Sequence, residues 1–277
     1  RPTEEFEGYV DLSLFQDGES KIKTRVSGAL TDSINASVTM MDAEFDGFIK
    51  NVYNNEKVNG YDKQGLRAMF DMDLGNDTTA LIIYEDYDAD NDCCTDLVGR
   101  NTNASRPLDS EVFVSGGDLN LDQRKVDHDF ETRTQDSTTA FSVQFEKGFG
   151  DYTLTSITAR RTWNNTEFRE GDFTSQNGDS TDPVNFSTVG FQLHDVGPQE
   201  WRQLSQEIRL SSPGGETFDW QVGGFYWEID SARSFTREAS CQVTGDNTAI
   251  VDAANLADPT LGLTCLQNDI VSATAYM

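Results

Sequence analysis

The sequence predicts an all-β fold: about nine antiparallel strands in up-and-down order, forming part of a larger transmembrane β-barrel. Three observations lead there. Apolar and polar residues alternate with period two in run after run. Short, turn-like connectors alternate with long polar ones along the 277 residues. Full charges stand on the polar side of the strands, where a dry protein core would not accept them unpaired.

The runs follow one another from the start. Phe6, Gly8, Val10, Leu12 and Leu14 alternate with Glu7, Tyr9, Asp11 and Ser13. Ile22, Thr24, Val26, Gly28 and Leu30 alternate with Lys21, Lys23, Arg25 and Ser27. Ile34, Ala36, Val38 and Met40 form a third strand, and Leu66, Ala68, Phe70, Met72 and Leu74 a fourth, against Arg67, Asp71 and Asp73. Phe141, Val143 and Phe145 stand against Ser142, Gln144 and Glu146; Leu204, Ile208 and Leu210 stand against Ser205, Glu207 and Arg209. In residues 152–163 the apolar phase slips from Tyr152 and Leu154 to Ile157 and Ala159, which predicts a β-bulge. Residues 218–229 are apolar on both faces near their end.

Tight turns are expected at Thr31-Asp32-Ser33, Gly75-Asn76-Asp77, Lys147-Gly148-Phe149-Gly150 and Pro213-Gly214-Gly215-Glu216. The connectors between them are long: roughly 44–63, 88–134, 164–201 and 231 to near the end. Only the first, near Gln16 to Ser20, is short. In an up-and-down sheet, alternate connectors lie at opposite ends. One end is thus trimmed and the other carries large loops, as in outer-membrane barrels with short periplasmic turns.

Composition removes other classes. Acids outnumber bases 48 to 21, a net charge of −27, which argues against a nucleic-acid partner. The longest apolar run, Ala80 to Tyr84, is far short of a membrane helix. Aromatics at 10%, with 17 phenylalanines, separate the chain from disordered acidic segments. The two histidines, His128 and His194, lie far apart, and no G-x-S-x-G, H-E-x-x-H or P-loop occurs, so no catalytic residue and no enzyme are expected. Both histidines are read as loop surface. The chain opens at Arg1-Pro2 without a signal peptide and reads as a piece of something longer.

Three groups invite a chemical reading. Asp86, Asp88, Asp90 and Asp92 alternate and share one strand face, where carboxylates could collect Ca²⁺; the spacing does not complete an EF-hand, and a solvated acidic loop base is the simpler reading. No other cofactor is expected. Cys241 and Cys265 share a long loop, and an extracellular location would suit a disulfide between them. Cys93 and Cys94 are adjacent, with a vicinal disulfide, two reduced thiols and cross-pairing all open. Trp163, Trp201, Trp220 and Trp227 are read as interface anchors at strand ends.

Ser205-Gln206-Glu207-Ile208-Arg209-Leu210-Ser211, then Phe218-Asp219-Trp220-Gln221-Val222-Gly223-Gly224-Phe225-Tyr226, resembles the barrel of TonB-dependent outer-membrane receptors. Leu154 through Arg161 is similar to a strand that precedes a long loop in that family. Val26 through Leu30 and Asp46 through Asn51 resemble its early strands and second loop, and Arg1-Pro2-Thr3 its plug-to-barrel junction. The resemblance covers nearly the whole chain in the right order. It implies that residues 1–277 are the N-terminal portion of a barrel domain that follows a plug domain. The implied activity is binding of a scarce nutrient (an iron chelate, cobalamin, haem or glycan) and its import with energy from the inner-membrane TonB complex. The implied partners are outer-membrane lipid and lipopolysaccharide, the plug and the remaining barrel strands. The rival reading is a secreted or surface-layer, calcium-binding β-sandwich serving in structure or adhesion. The two differ in what covers Val10, Val26, Val38 and Phe70: lipid, or a second sheet.

Overall fold

The computed structural model describes residues 1–96, 124–128, 130–171, 190–215, 217–242 and 270–276. In chain order the strands are β1 (Glu7–Leu14), β2 (Ser20–Thr31), β3 (Ile34–Phe45), β4 (Ile49–Asn51), β5 (Lys57–Val58), β6 (Tyr61–Asp73), β7 (Thr78–Asn91), β8 (Lys125–Val126), β9 (Arg133–Phe149), β10 (Tyr152–Glu170), β11 (Gly190–Ser211), β12 (Gln221–Gln242) and β13 (Ile270–Tyr276). Ten of them form one antiparallel sheet in the order β1-β2-β3-β6-β7-β9-β10-β11-β12-β13. This is the expected meander, with β13 added to the nine strands legible in the sequence. The sheet is open: β1 and β13 are its two edges.

Directly paired residues share a face, so the registers show where each strand side points. Val26, Val38, Ala68, Tyr84 and Phe141 form one continuous row. Val10 is 70% exposed, Val26 52% and Phe70 38%, whereas Ser27 and Ser37, on the other face, are only 2% and 3% exposed. The apolar side is therefore outward, and no layer of described residues covers it. A sandwich would have buried it.

The outward apolar band also runs obliquely. Leu14 lies level with Asp90 across the rows, yet the apolar run of β7 ends at Tyr84, six residues lower, four strand spacings away. That is about 20 Å along the strand against about 19 Å across the sheet. The slope of about 45° is the tilt that keeps an apolar belt level around a membrane barrel.

Two expectations are corrected. No bulge occurs at residues 152–163: β10 pairs continuously with β9 from Tyr152 to Phe168 and with β11 from Thr153 to Glu170. Ile157 and Ala159 lie on the inward face, which tolerates apolar residues. The register shift falls instead between Ala29 and Thr31. The connector expected at 164–201 is strand at both of its ends, because β10 continues to Glu170 and β11 begins at Gly190.

At the long-loop end, β4, β5 and β8 form a small separate sheet, with β4 and β8 parallel. Val126 is its most enclosed side chain, at 1% exposure. The link into it turns at Gly47, whose φ of +90° suits glycine and whose added Cβ would stand 2.3 Å from the Val58 carbonyl oxygen. Gly47→Ala is expected to cost about 2 kcal/mol of local stability. Limited proteolysis should then nick residues 46–60 while the ten-stranded sheet stays intact; an unchanged digest would show that this link adapts.

Candidate functional site: the inward wall

The inward face is lined by alternate residues of every long strand, so its chemistry follows from the strand phase. On β2 these are Lys21, Lys23 and Arg25; on β6, Lys63 and Arg67; on β10, Arg161 and Trp163. A concavity of about 700 Å³ opens on this face, midway along β10. Its floor is aromatic. Trp163 pairs directly with Trp201 of β11, their rings 6.3 Å apart and nearly perpendicular, and Tyr87 of β7 lines the same space. Trp163 Nε1 donates to Asp136 Oδ1 at 3.0 Å, and Asn165 Nδ2 donates to the same oxygen at 2.8 Å, which fixes the indole plane.

Charge is distributed unevenly around the concavity. Arg67 Nε lies 3.2 Å from Glu85 Oε1, a closed pair. Lys23 and Arg161 also line the space and are exposed, yet neither has an ion-pair partner among the described residues. Asp11 faces Lys23 across the β1–β2 register without forming a contact pair. The lining carries three bases and three acids, Glu85, Asp86 and Asp136, but the Asp86 carboxylate is turned to the outward face, where it accepts from Tyr84 and Thr139, so three bases meet two inward acids in a chain whose net charge is −27. The first residues of the chain rest on the same wall: Arg1 reaches Asp71 and Glu146, each at 3.7 Å, and Thr3 is held by Ser27.

The tryptophan expectation is corrected by this geometry. Trp163 and Trp201 sit within their strands and face inward, and Trp227 shares that inward face through its pairing with Ser205. Trp220 alone fits a position near a strand end, packed against Tyr152 beside the short turns at 5.9 Å. The signal for the inward pair was present in the sequence: Ile157, Ala159, Arg161 and Trp163 keep one phase.

The acidic run does not assemble an ion site. Alternate residues of an extended strand stand about 6.7 Å apart, too far to share one cation unless the backbone folds back. Asp86 accepts from Tyr84 OH and Thr139 Oγ1, each at 3.2 Å, and Asp90 is paired with Arg133. No group of three metal-binding side chains occurs among the described residues. Asp86, Asp88 and Asp90 point outward above the apolar band, and Asp92 lies beyond the end of β7. Cys93 and Cys94 are free thiols, not a vicinal disulfide; Cys93 Sγ lies instead 3.9 Å from Thr134 Oγ1. Burial pushes the Cys94 thiol up to about 11, which keeps it protonated. Cys265, and with it the expected bond to Cys241, lies outside the described residues.

His128, expected at the surface, is 4% exposed at the small sheet. Its backbone is clasped by Asn51, whose Nδ2 donates to the His128 carbonyl at 2.8 Å and whose Oδ1 accepts from the His128 amide at 3.1 Å. Glu170, at the top of β10, accepts from the Phe130 amide at 3.1 Å and ties the same cluster to the large sheet.

No protein-family model matches the chain, and no curated protein matches it. Solved structures do. The ferric yersiniabactin uptake receptor of Yersinia pestis superimposes with a TM-score of 0.62 at 15% identity, over 87% of this chain and 32% of that one. The siderophore receptor PiuA of Acinetobacter baumannii gives 0.58 at 12% identity, over 100% of this chain and 38% of that one. The ferripyoverdine receptor of the outer membrane of Pseudomonas aeruginosa, bound to ferripyoverdine, gives 0.53 at 15% identity, over 88% and 29%. The chain spans about a third of the length of the receptors it matches. At such low identity the likeness is one of fold, between this sheet and part of each receptor.

Proposed function

We propose that the chain is the N-terminal portion of the barrel domain of a TonB-dependent receptor in the outer membrane, following a plug domain. The observation that carries this reading is the contrast between the two faces of one open sheet. Val10, Val26 and Phe70 are bare on the outside, while Lys23, Arg67, Trp163 and Trp201 line a concavity on the inside. A lipid belt would cover the first face, and the plug with the remaining strands would enclose the second. The receptor binds a scarce nutrient at its outer mouth, with iron chelates favoured among the four ligand classes by the receptors that share the fold. The inner-membrane TonB complex supplies the energy for import, and lipopolysaccharide surrounds the upper wall. None of these steps needs a catalytic residue.

Uptake assays test the proposal. Cells expressing the intact receptor should accumulate a labelled iron chelate, haem, cobalamin or glycan, and lose that uptake when the energy complex is removed. Recovery of the folded protein without detergent, from the aqueous fraction, would overturn it.

A further inference from the structure

We propose that the concavity formed by Lys23, Arg161, Trp163 and Trp201 selects an anionic ligand bearing planar aromatic groups, over neutral sugars and over cationic chelates of the same metal. This rests on the uptake reading and narrows it. Three observations combine. Lys23 and Arg161 project into one space from strands at opposite sides of it, each without an ion-pair partner among the described residues. The other base of the lining, Arg67, is already engaged by Glu85. The acid nearest the indoles, Asp136, is occupied by the Trp163 and Asn165 donors, so it is turned toward the wall. A cation entering this space meets two unmatched positive charges, and an anion meets two unspent donors groups. The perpendicular indoles offer a face and an edge to a flat ring, which adds stacking to the charge selection.

The chain's net charge of −27 points the other way, toward cations. Local geometry decides against it. Asp86 borders the concavity, but its carboxylate is engaged by Tyr84 and Thr139 on the outward face. Asp88 lies outward as well, and at physiological ionic strength fields beyond about 8 Å are largely screened. The two bases stand within the space itself.

The test uses the intact receptor in detergent, with tryptophan fluorescence as the readout. It is titrated with a trianionic ferric tris-catecholate and with a cationic ferric trihydroxamate, two chelates that share the metal and differ in charge and aromaticity. The anionic chelate should quench the fluorescence and bind at least about 10-fold tighter, and more weakly as salt is raised. Lys23→Gln combined with Arg161→Gln should remove that preference while the heat-modifiable band of the folded barrel is retained. Equal affinity for both chelates, or a preference that survives the double substitution, overturns the selection and leaves the uptake reading standing. Failure of both chelates, haem, cobalamin and glycans to bind at all would overturn both.

Discussion

Val143→Arg should destabilise the protein in a bilayer by about 2–4 kcal/mol, whereas Gln144→Arg, one residue along the same strand, should change stability by less than about 0.5 kcal/mol. Val143 lies on the outward face between Phe141 and Phe145, with Ile82 and Thr158 as its cross-strand neighbours. A guanidinium there must leave water for hydrocarbon or distort the bilayer to reach the interface, and nothing on the neighbouring strands compensates it. Gln144 points inward, and its Nε2 already donates to Glu146 Oε1 at 2.8 Å. An arginine at that position acquires a carboxylate partner in a wet wall. The expected contrast corresponds to about 30- to 1,000-fold in the folded-to-unfolded ratio for Val143→Arg alone. Urea titrations of the intact protein, refolded into phosphatidylcholine vesicles, would measure it. Equal costs at both positions would mean that protein rather than lipid covers Phe141, Val143 and Phe145, and the membrane reading would fall with that result.

This contrast also explains which parts of the fold were legible from sequence. Period two is visible only where the two sides of a strand meet different solvents. At Val38 and Ser37, or Phe70 and Asp71, one side is the bare outward face and the other the polar inward wall, and the alternation is clean. Beyond the apolar band both sides are polar. Asn164, Asn165, Thr166 and Glu167 pair as regularly as the residues below them, yet their chemistry carries no period, so strand reads as loop. The inward wall blurs the pattern differently. It accepts charge, indole and aliphatic side chains alike, so Ile157 suggested a bulge that the backbone does not have. The concavity was partly legible: Lys23 and Arg67 followed from phase, whereas Arg161 lay in the run read as slipped by a bulge, and joining these bases to Trp163 and Trp201 needed the register of seven strands. The small sheet lay out of reach. Its strands are two or three residues long, and β4 meets β8 across more than seventy positions of chain.

That small sheet gives the second large effect: acidification should open it while leaving the ten-stranded sheet closed. Burial holds the His128 imidazole down at about 4, against an ordinary 6.5, with Asp127 and Asp96 pulling weakly the other way. A base whose folded pKa is depressed binds its proton more tightly when the site is open. Its neutral form therefore keeps the site closed above pH 6.5, and that stability is lost as pH falls from 6.5 toward 4. The loss by pH 4 is about 3 kcal/mol, or roughly 100-fold in the opening equilibrium. Asp92 works in the opposite sense, because burial, Glu131 and Asp90 raise its carboxyl pKa, so its neutral form favours the closed cluster. The two are separable by substitution. Hydrogen exchange should report on the amides of Lys50 and Val52, which donate to the carbonyls of Arg124 and Val126 at 2.9 and 2.8 Å. After correction for intrinsic rates, their exchange should accelerate between pH 7 and pH 4 while amides of β6 and β7 stay protected. His128→Gln should flatten that acceleration. Asn51→Ala, which removes the paired hydrogen bonds to the His128 backbone, should open the sheet at every pH. Protection at Lys50 and Val52 that is equal at pH 7 and pH 4 would show that the imidazole finds its proton without opening the cluster, and the buried histidine would then be packing rather than a pH-sensitive latch.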